Sequence, residues 1–156
     1  MKTLFLLLAF TFCHSAFTQT ADTTSVAALQ TQTLMHEALK EAERLKLPVS
    51  VCILDAGGHL LAFQRMEGAP LSSIVLSQEK AKTACHFQLP SKQLEDWLNS
   101  GGQRMLTLPG YILIEGGIPF FRNGKCVGAI GVSGGSSQQD AQIAQKGISA
   151  TSLGSK

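Results

Sequence analysis

Apolar residues recur with helical spacing in the segment that spans residues 22–46. The apolar residues Leu34, Ala38, Ala42 and Leu45 follow one another at intervals of four, four and three residues, and charged residues lie between them. This period predicts one long amphipathic helix. Pro48 bars its continuation, because proline lacks the backbone N–H that a helix requires.

Two extended segments follow the helix. Residues 49–54 and 60–66 are rich in strand-forming residues, and they flank a turn that contains Gly57 and Gly58. The pattern predicts a β-hairpin. Pro70 and Ser72 then introduce a second helix through Cys85, and a shorter helix begins near Pro90.

The last third of the chain alternates between strand and turn patterns. Residues 111–114 and 118–122 read as strands, and residues 125–133 as the strand that returns after Asn123 and Gly124. Both turn residues tolerate the positive φ of a type I′ turn, so a second hairpin is expected. A final helix is predicted over residues 137–149. The whole order predicts an α+β fold with a mainly antiparallel sheet of about five strands flanked by helices.

The first twenty residues have the pattern of a secretory signal peptide. Lys2 precedes the apolar run of residues 4–10, and small and polar residues follow. We expect residues 1–20 to be removed, with cleavage uncertain by a few residues, and residues 21–156 to form a single domain. The apolar run is shorter than the roughly 20 residues that span a bilayer, so the mature protein is expected to be secreted or periplasmic, without membrane insertion.

Charge and cysteine content exclude several classes of function. The chain has 13 basic and 11 acidic residues, and loss of Lys2 leaves 12 against 11, a net charge of +1. So small a charge predicts no nucleic-acid partner. Cys52, Cys85 and Cys126 have no zinc-site spacing and are odd in number, so buried thiols are favoured over a disulfide framework.

No recognised catalytic motif is present, and the sequence favours a binding protein over an enzyme. Gly128 and Gly131 lie inside a predicted strand, where close backbone packing explains them better than a nucleotide loop does. His36 and His59 admit two interpretations. Each is either a surface histidine or an axial ligand to haem iron, which needs only one such side chain in an apolar site.

Four segments resemble the GlcG/HbpS-like family. They are residues 51–69 (VCILDAGGHLLAFQRMEGA), 80–84 (KAKTA), 116–120 (GGIPF) and 127–135 (VGAIGVSGG), in matching order. The resemblance extends from about residue 23 to residue 150. It implies a compact antiparallel sheet flanked by helices, a symmetric homo-oligomer and, because members include extracellular haem-binding proteins and the C-terminal domain of PduO-type adenosyltransferases, a tetrapyrrole ligand.

The resemblance leads to a set of expected ligand-binding residues. His59 corresponds to the family's hairpin turn, and Arg65 corresponds to its charged residue after the second strand. The family's loop before the final hairpin corresponds to Gly116, Gly117, Ile118, Pro119 and Phe120. Glu115 departs from the family by placing an acidic group beside this loop. We expect an exported protein that binds haem or a related tetrapyrrole, with His36 or His59 as the metal ligand. The alternatives are a non-catalytic oligomeric module for another small ligand or a partner protein, and an uncharacterised enzyme.

Overall fold

A computed structural model describes Val26 and residues 28–155 of the chain. This part contains four α-helices, one short 3-10 helix at Gln103–Thr107 and four strands. The helices are α1 (Ala28–Leu45), α2 (Ser72–Phe87), α3 (Ser91–Asn99) and α4 (Ser137–Ser149), and the strands are β1 (Ser50–Asp55), β2 (Leu60–Arg65), β3 (Gly117–Arg122) and β4 (Lys125–Ser133).

The strands form one sheet in the order β2-β1-β4-β3, and every neighbouring pair is antiparallel. Both predicted hairpins are present. Asn123 and Gly124 have φ values of 51° and 77°, as a type I′ turn requires, so the glycine-containing turn between β3 and β4 is confirmed. The α+β class is confirmed, with four strands where about five were predicted.

The sheet lies between two layers of helices. Helices α1 and α4 cover one face, where Leu34 and Ile143 pack with the strand residues Ile53, Ile130 and Phe120 in the main core. Helix α2 covers the opposite face, where a smaller cluster includes Cys52, Leu54 and Ala81. The side chains of β1 alternate between the two faces of the sheet. Because helices cover both faces, this strand is buried on both sides.

Helix α2 approaches the sheet unusually closely, because glycines face it. A Cβ atom added to Gly131 would lie 2.1 Å from the carbonyl oxygen of Ser77, and one added to Gly117 would lie 2.1 Å from that of Lys80. The prediction of close backbone packing at Gly131 is therefore confirmed, and the element that it contacts is a helix of the same chain.

The predicted strand at residues 111–114 is wrong. These residues have no strand partner, and the Ile112 N–H donates to the Thr83 hydroxyl at 3.2 Å, so the segment runs along α2 as an irregular loop. The signal peptide of residues 1–20, and residues 22–25 and 27 of the predicted first helix, lie outside the described residues. Within residues 28–155, no helix is long and apolar enough to cross a membrane.

Candidate functional site

A groove of about 730 Å³ runs between α1 and the edge strand β2. The helical period brings Met35 and Leu39 to the side of α1 that faces the sheet, and β2 contributes Leu61 and Ala62. With Val26 and Ala28, these side chains form its apolar part. The polar residues that complete the groove are Thr31, Gln32, His36, Lys40, Glu43 and Gln64.

His36 is the predicted site residue that opens onto this groove. Its side chain is 74% exposed, and its Nε2 atom lies 3.9 Å from a carboxylate oxygen of Glu37. Lys40 is one turn further along α1, with Nζ 3.9 Å from the other oxygen of Glu37. At these distances both contacts of Glu37 are weak, so the imidazole is held loosely and can accept a new partner.

His59 lies at the turn between β1 and β2, where Asp55 organises the backbone. One carboxylate oxygen of Asp55 accepts the N–H groups of Gly57 and His59 at 2.8 and 2.9 Å. Burial tends to raise the pKa of Asp55, but these hydrogen bonds outweigh burial, and the pKa lies below its ordinary value. The His59 ring is 82% exposed, with Nδ1 3.3 Å from the same oxygen.

The segment from Glu115 to Phe120 is part of the protein interior. Gly116 has a φ of 124°, and the Gly117 N–H donates to the Ser91 hydroxyl at 2.9 Å. Ile118 and Phe120 are 7% and 0% exposed and belong to the main core, and Pro119 is also buried in β3. None of these side chains lines the groove at α1.

Glu115 is half-buried beside α3, and its Oε2 atom is buried without a hydrogen-bond partner in the described part of the chain. Burial raises the pKa of this carboxyl above its ordinary value. Arg65, at the end of β2, donates from Nε and Nη2 to the Ala69 carbonyl at 3.1 and 2.7 Å. Its guanidinium therefore fixes the loop before α2.

The predicted site residues thus lie in four separate places. His36 is in the groove, His59 is on the first hairpin turn, Arg65 is at the end of β2, and residues 115–120 lead into β3. Their roles in ligand binding stay predictions. In residues 28–155, no three His, Cys, Asp or Glu side chains are grouped to hold a metal ion.

One buried ion pair was missed by the sequence reasoning. Lys80 Nζ lies 2.8 Å from Asp140 Oδ2, and the two side chains are 3% and 2% exposed. The same ammonium donates to the Val132 carbonyl at 3.2 Å, and Asp140 Oδ1 accepts the Gly135 N–H at 2.9 Å. The pair joins α2 to the start of α4. Lys80 falls within the quoted family segment of residues 80–84, but one sequence gave no sign of its partner.

The chain is similar to known proteins over most of its length. A family model described as "Haem degrading protein HbpS-like" matches residues 26–149. Protein GlcG of Escherichia coli strain K12 is 40% identical over 94 residues, which are 60% of this chain and 70% of that protein.

Two crystal structures share the fold. The first is the crystal structure of a PduOC:heme complex, which has 32% sequence identity to this chain and a TM-score of 0.78. The match covers 83% of this chain and 97% of that one. That of HbpS is 28% identical with a TM-score of 0.75, over 84% and 93% of the two chains. The chain belongs to the HbpS-like family.

Proposed function

We propose that this protein binds haem or a related tetrapyrrole in the groove between α1 and β2, with His36 as the iron ligand. The observation that carries the proposal is that an exposed imidazole opens onto a groove of about 730 Å³ in which half of the lining residues are apolar. Sites for small molecules and cofactors commonly have volumes of about 300–1,000 Å³, with apolar walls and few polar groups. The similarity to a structure described as a PduOC:heme complex supports the same ligand class.

The residues of the groove fit the chemistry of a haem group. Haem is a flat, largely apolar macrocycle with two carboxylates at one edge and an iron atom that takes axial ligands, for which a histidine suffices. Met35, Leu39 and Leu61 supply apolar contact surface. Lys40, one helical turn from His36, supplies a cation for a propionate carboxylate.

His59 and the segment of residues 115–120 provide fewer accessible contacts for such a ligand in this conformation. The ring of His59 projects into solvent beside Asp55 and does not line the groove at α1. Phe120 and Ile118 are already packed inside the protein, so using them as a porphyrin contact requires opening the core. This comparison favours His36 over His59.

We also propose that the protein is exported and works as a homo-oligomer. The basic and apolar pattern of residues 2–10 supports export to a secreted or periplasmic location. Oligomerisation is supported by an exposed leucine at the edge of the sheet. Leu60 of β2 is 56% exposed and does not line the groove, and a strand edge with apolar side chains readily pairs with another chain.

The experiment is an absorbance titration of the protein with haem, using His36→Ala and His59→Ala as a matched pair of variants. Both histidines are strongly exposed, so neither substitution is expected to disturb folding. We expect the wild type and His59→Ala to show the same saturable Soret band, and His36→Ala to show a displaced band and weaker binding.

Two outcomes contradict the proposal in different ways. A spectrum that changes only in His59→Ala assigns the ligand to the hairpin turn and removes His36 from the site. Absence of any saturable Soret change in the wild type at micromolar haem refutes tetrapyrrole binding itself and leaves the oligomeric module for another ligand as the better hypothesis.

A further inference from the structure

Two cysteines, Cys85 at the end of α2 and Cys126 near the start of β4, lie beside neighbouring residues of the sheet. Cys85 Sγ lies 3.2 Å from the Asp55 carbonyl oxygen, and Cys126 Sγ lies 3.5 Å from the Gly128 carbonyl oxygen. Asp55 and Gly128 are cross-strand partners in the pairing of β1 with β4. Both sulfur atoms therefore lie beside the same pair of residues in the sheet.

The close packing of α2 holds Cys85 against β4. Cys85 packs with Ala84 of its own helix and Ala129 of β4, three residues after Cys126. A disulfide requires Cα atoms about 4.4–6.8 Å apart, so a helix that carries one cysteine must lie close to the strand that carries the other. Here the glycine at position 131 lets the helix backbone approach β4 far more closely than a larger residue would allow.

We propose that Cys85 and Cys126 form a dithiol site that exchange with a small-molecule disulfide, such as oxidised glutathione, converts into an intramolecular disulfide. The site is separate from the groove at α1 and does not depend on haem binding. Its oxidised form would join the end of α2 to β4, directly beside the turn that carries His59.

The two thiols differ in accessibility, and this difference assigns their order of reaction. Cys126 is half-buried, whereas Cys85 is buried. Burial raises the pKa of the Cys85 thiol to about 11, with the nearby Cys126 and Asp55 adding to the effect. A thiol must lose its proton to act as a nucleophile, so Cys126 reacts first and Cys85 second.

The exchange balances in two steps. The Cys126 thiolate, after losing its proton to solvent, attacks one sulfur of the external disulfide, forms a mixed disulfide and releases one small thiol. Cys85 Sγ then loses its proton and attacks Cys126 Sγ, which breaks the mixed disulfide and releases the second small thiol. Two electrons pass from the protein dithiol to the external disulfide, which is reduced to two thiols.

Cys52 provides an internal control. It is fully buried within β1, in the cluster with Leu54 and Ala81, and burial raises the pKa of its thiol to about 12. A thiol so protected is expected to stay reduced while the other two react.

The test treats the reduced, full-length protein with oxidised glutathione, then unfolds it, alkylates the remaining thiols and maps the peptides by mass spectrometry. We expect a disulfide-linked peptide pair that contains Cys85 and Cys126, with Cys52 alkylated. Cys85→Ser should leave glutathione attached to Cys126, because the second step is lost. Cys126→Ser should take up little glutathione, and Cys52→Ser should form the same bridge as the wild type.

Several results would overturn the proposal. A wild-type protein that keeps glutathione on Cys126, forms a Cys126 bridge between two chains, or leaves both thiols unmodified shows that the sulfurs do not meet. Circular dichroism of each variant identifies any that fail to fold. If Cys85→Ser is one of them, the wild-type peptide map decides the matter without it.

Discussion

The buried pair of Lys80 and Asp140 gives the sharpest stability prediction. Replacing Lys80 by Met removes the ammonium from beside Asp140 Oδ2, which lies 2.8 Å away in a site where both side chains are at most 3% exposed. The carboxylate keeps the Gly135 N–H as a partner for Oδ1 but loses its counter-charge. Breaking a buried pair in this way costs about 3–5 kcal/mol of the free energy of unfolding.

A double-mutant cycle separates this effect from lost packing. Asp140→Asn leaves the Lys80 ammonium with the Val132 carbonyl alone, so this single variant is also expected to be strongly destabilised. The double variant has no charge at this site, because methionine and asparagine are neutral, and the asparagine amide oxygen can still accept the Gly135 N–H. Its destabilisation should therefore fall below the sum of the two single losses by about 2 kcal/mol or more.

The assay is urea unfolding followed by circular dichroism, with Lys92→Met as the control. Lys92 and Asp96 form an ion pair on α3 in which both side chains are about half exposed, so breaking it should cost less than about 1 kcal/mol. Equal losses for Lys80→Met and Lys92→Met, or strictly additive losses in the double variant, would refute the reasoning.

Two further predictions concern the packing of α2 and the acid limit of stability. Gly131→Ala places a methyl group 2.1 Å from a backbone oxygen of α2, and we expect urea unfolding to show a loss of about 3 kcal/mol or more in the free energy of unfolding. The control is Gly154→Ala, whose methyl group meets nothing within 4 Å and which should be nearly neutral. Equal effects of the two substitutions would contradict the close approach of α2. A hydrogen bond from Arg44 outweighs burial and lowers the pKa of Glu41 from 4.5 to about 2, so its carboxylate stabilises the fold above pH 4.5 and this contribution disappears as pH falls towards 2. Glu41→Gln should therefore be less stable at neutral pH, with the difference from wild type shrinking over that window in pH-dependent unfolding; a constant difference would refute this.

Much of the fold could be predicted because local patterns and packing agree. The apolar side chains of residues 34–45 recur at the helical period, and the turn residues Asn123 and Gly124 tolerate positive φ, so each local pattern specifies one structure. The prediction of a strand at residues 111–114 was wrong because an apolar run does not indicate whether a strand edge is available for pairing. In the folded chain Ile112 finds a side chain of α2 instead.

The candidate site was less predictable. His36 could be named as a ligand from its type, but the groove beside it depends on how α1 lies against β2, two elements separated by β1 in the sequence. Residues 118–120 were predicted as ligand contacts from the family resemblance, but they are buried in the protein interior. The pairing of Lys80 with Asp140 joins positions far apart in sequence and follows from the tertiary fold.

The most direct test of the central claim is to map the ligand on the protein by NMR. Zinc protoporphyrin, a diamagnetic substitute for haem, would be titrated into isotopically labelled protein while backbone amide shifts are followed. The groove predicts saturable shifts at Met35, His36 and Leu61, with residues 116–120 unchanged. Shifts confined to residues 116–120, or no saturable shift anywhere, would contradict it.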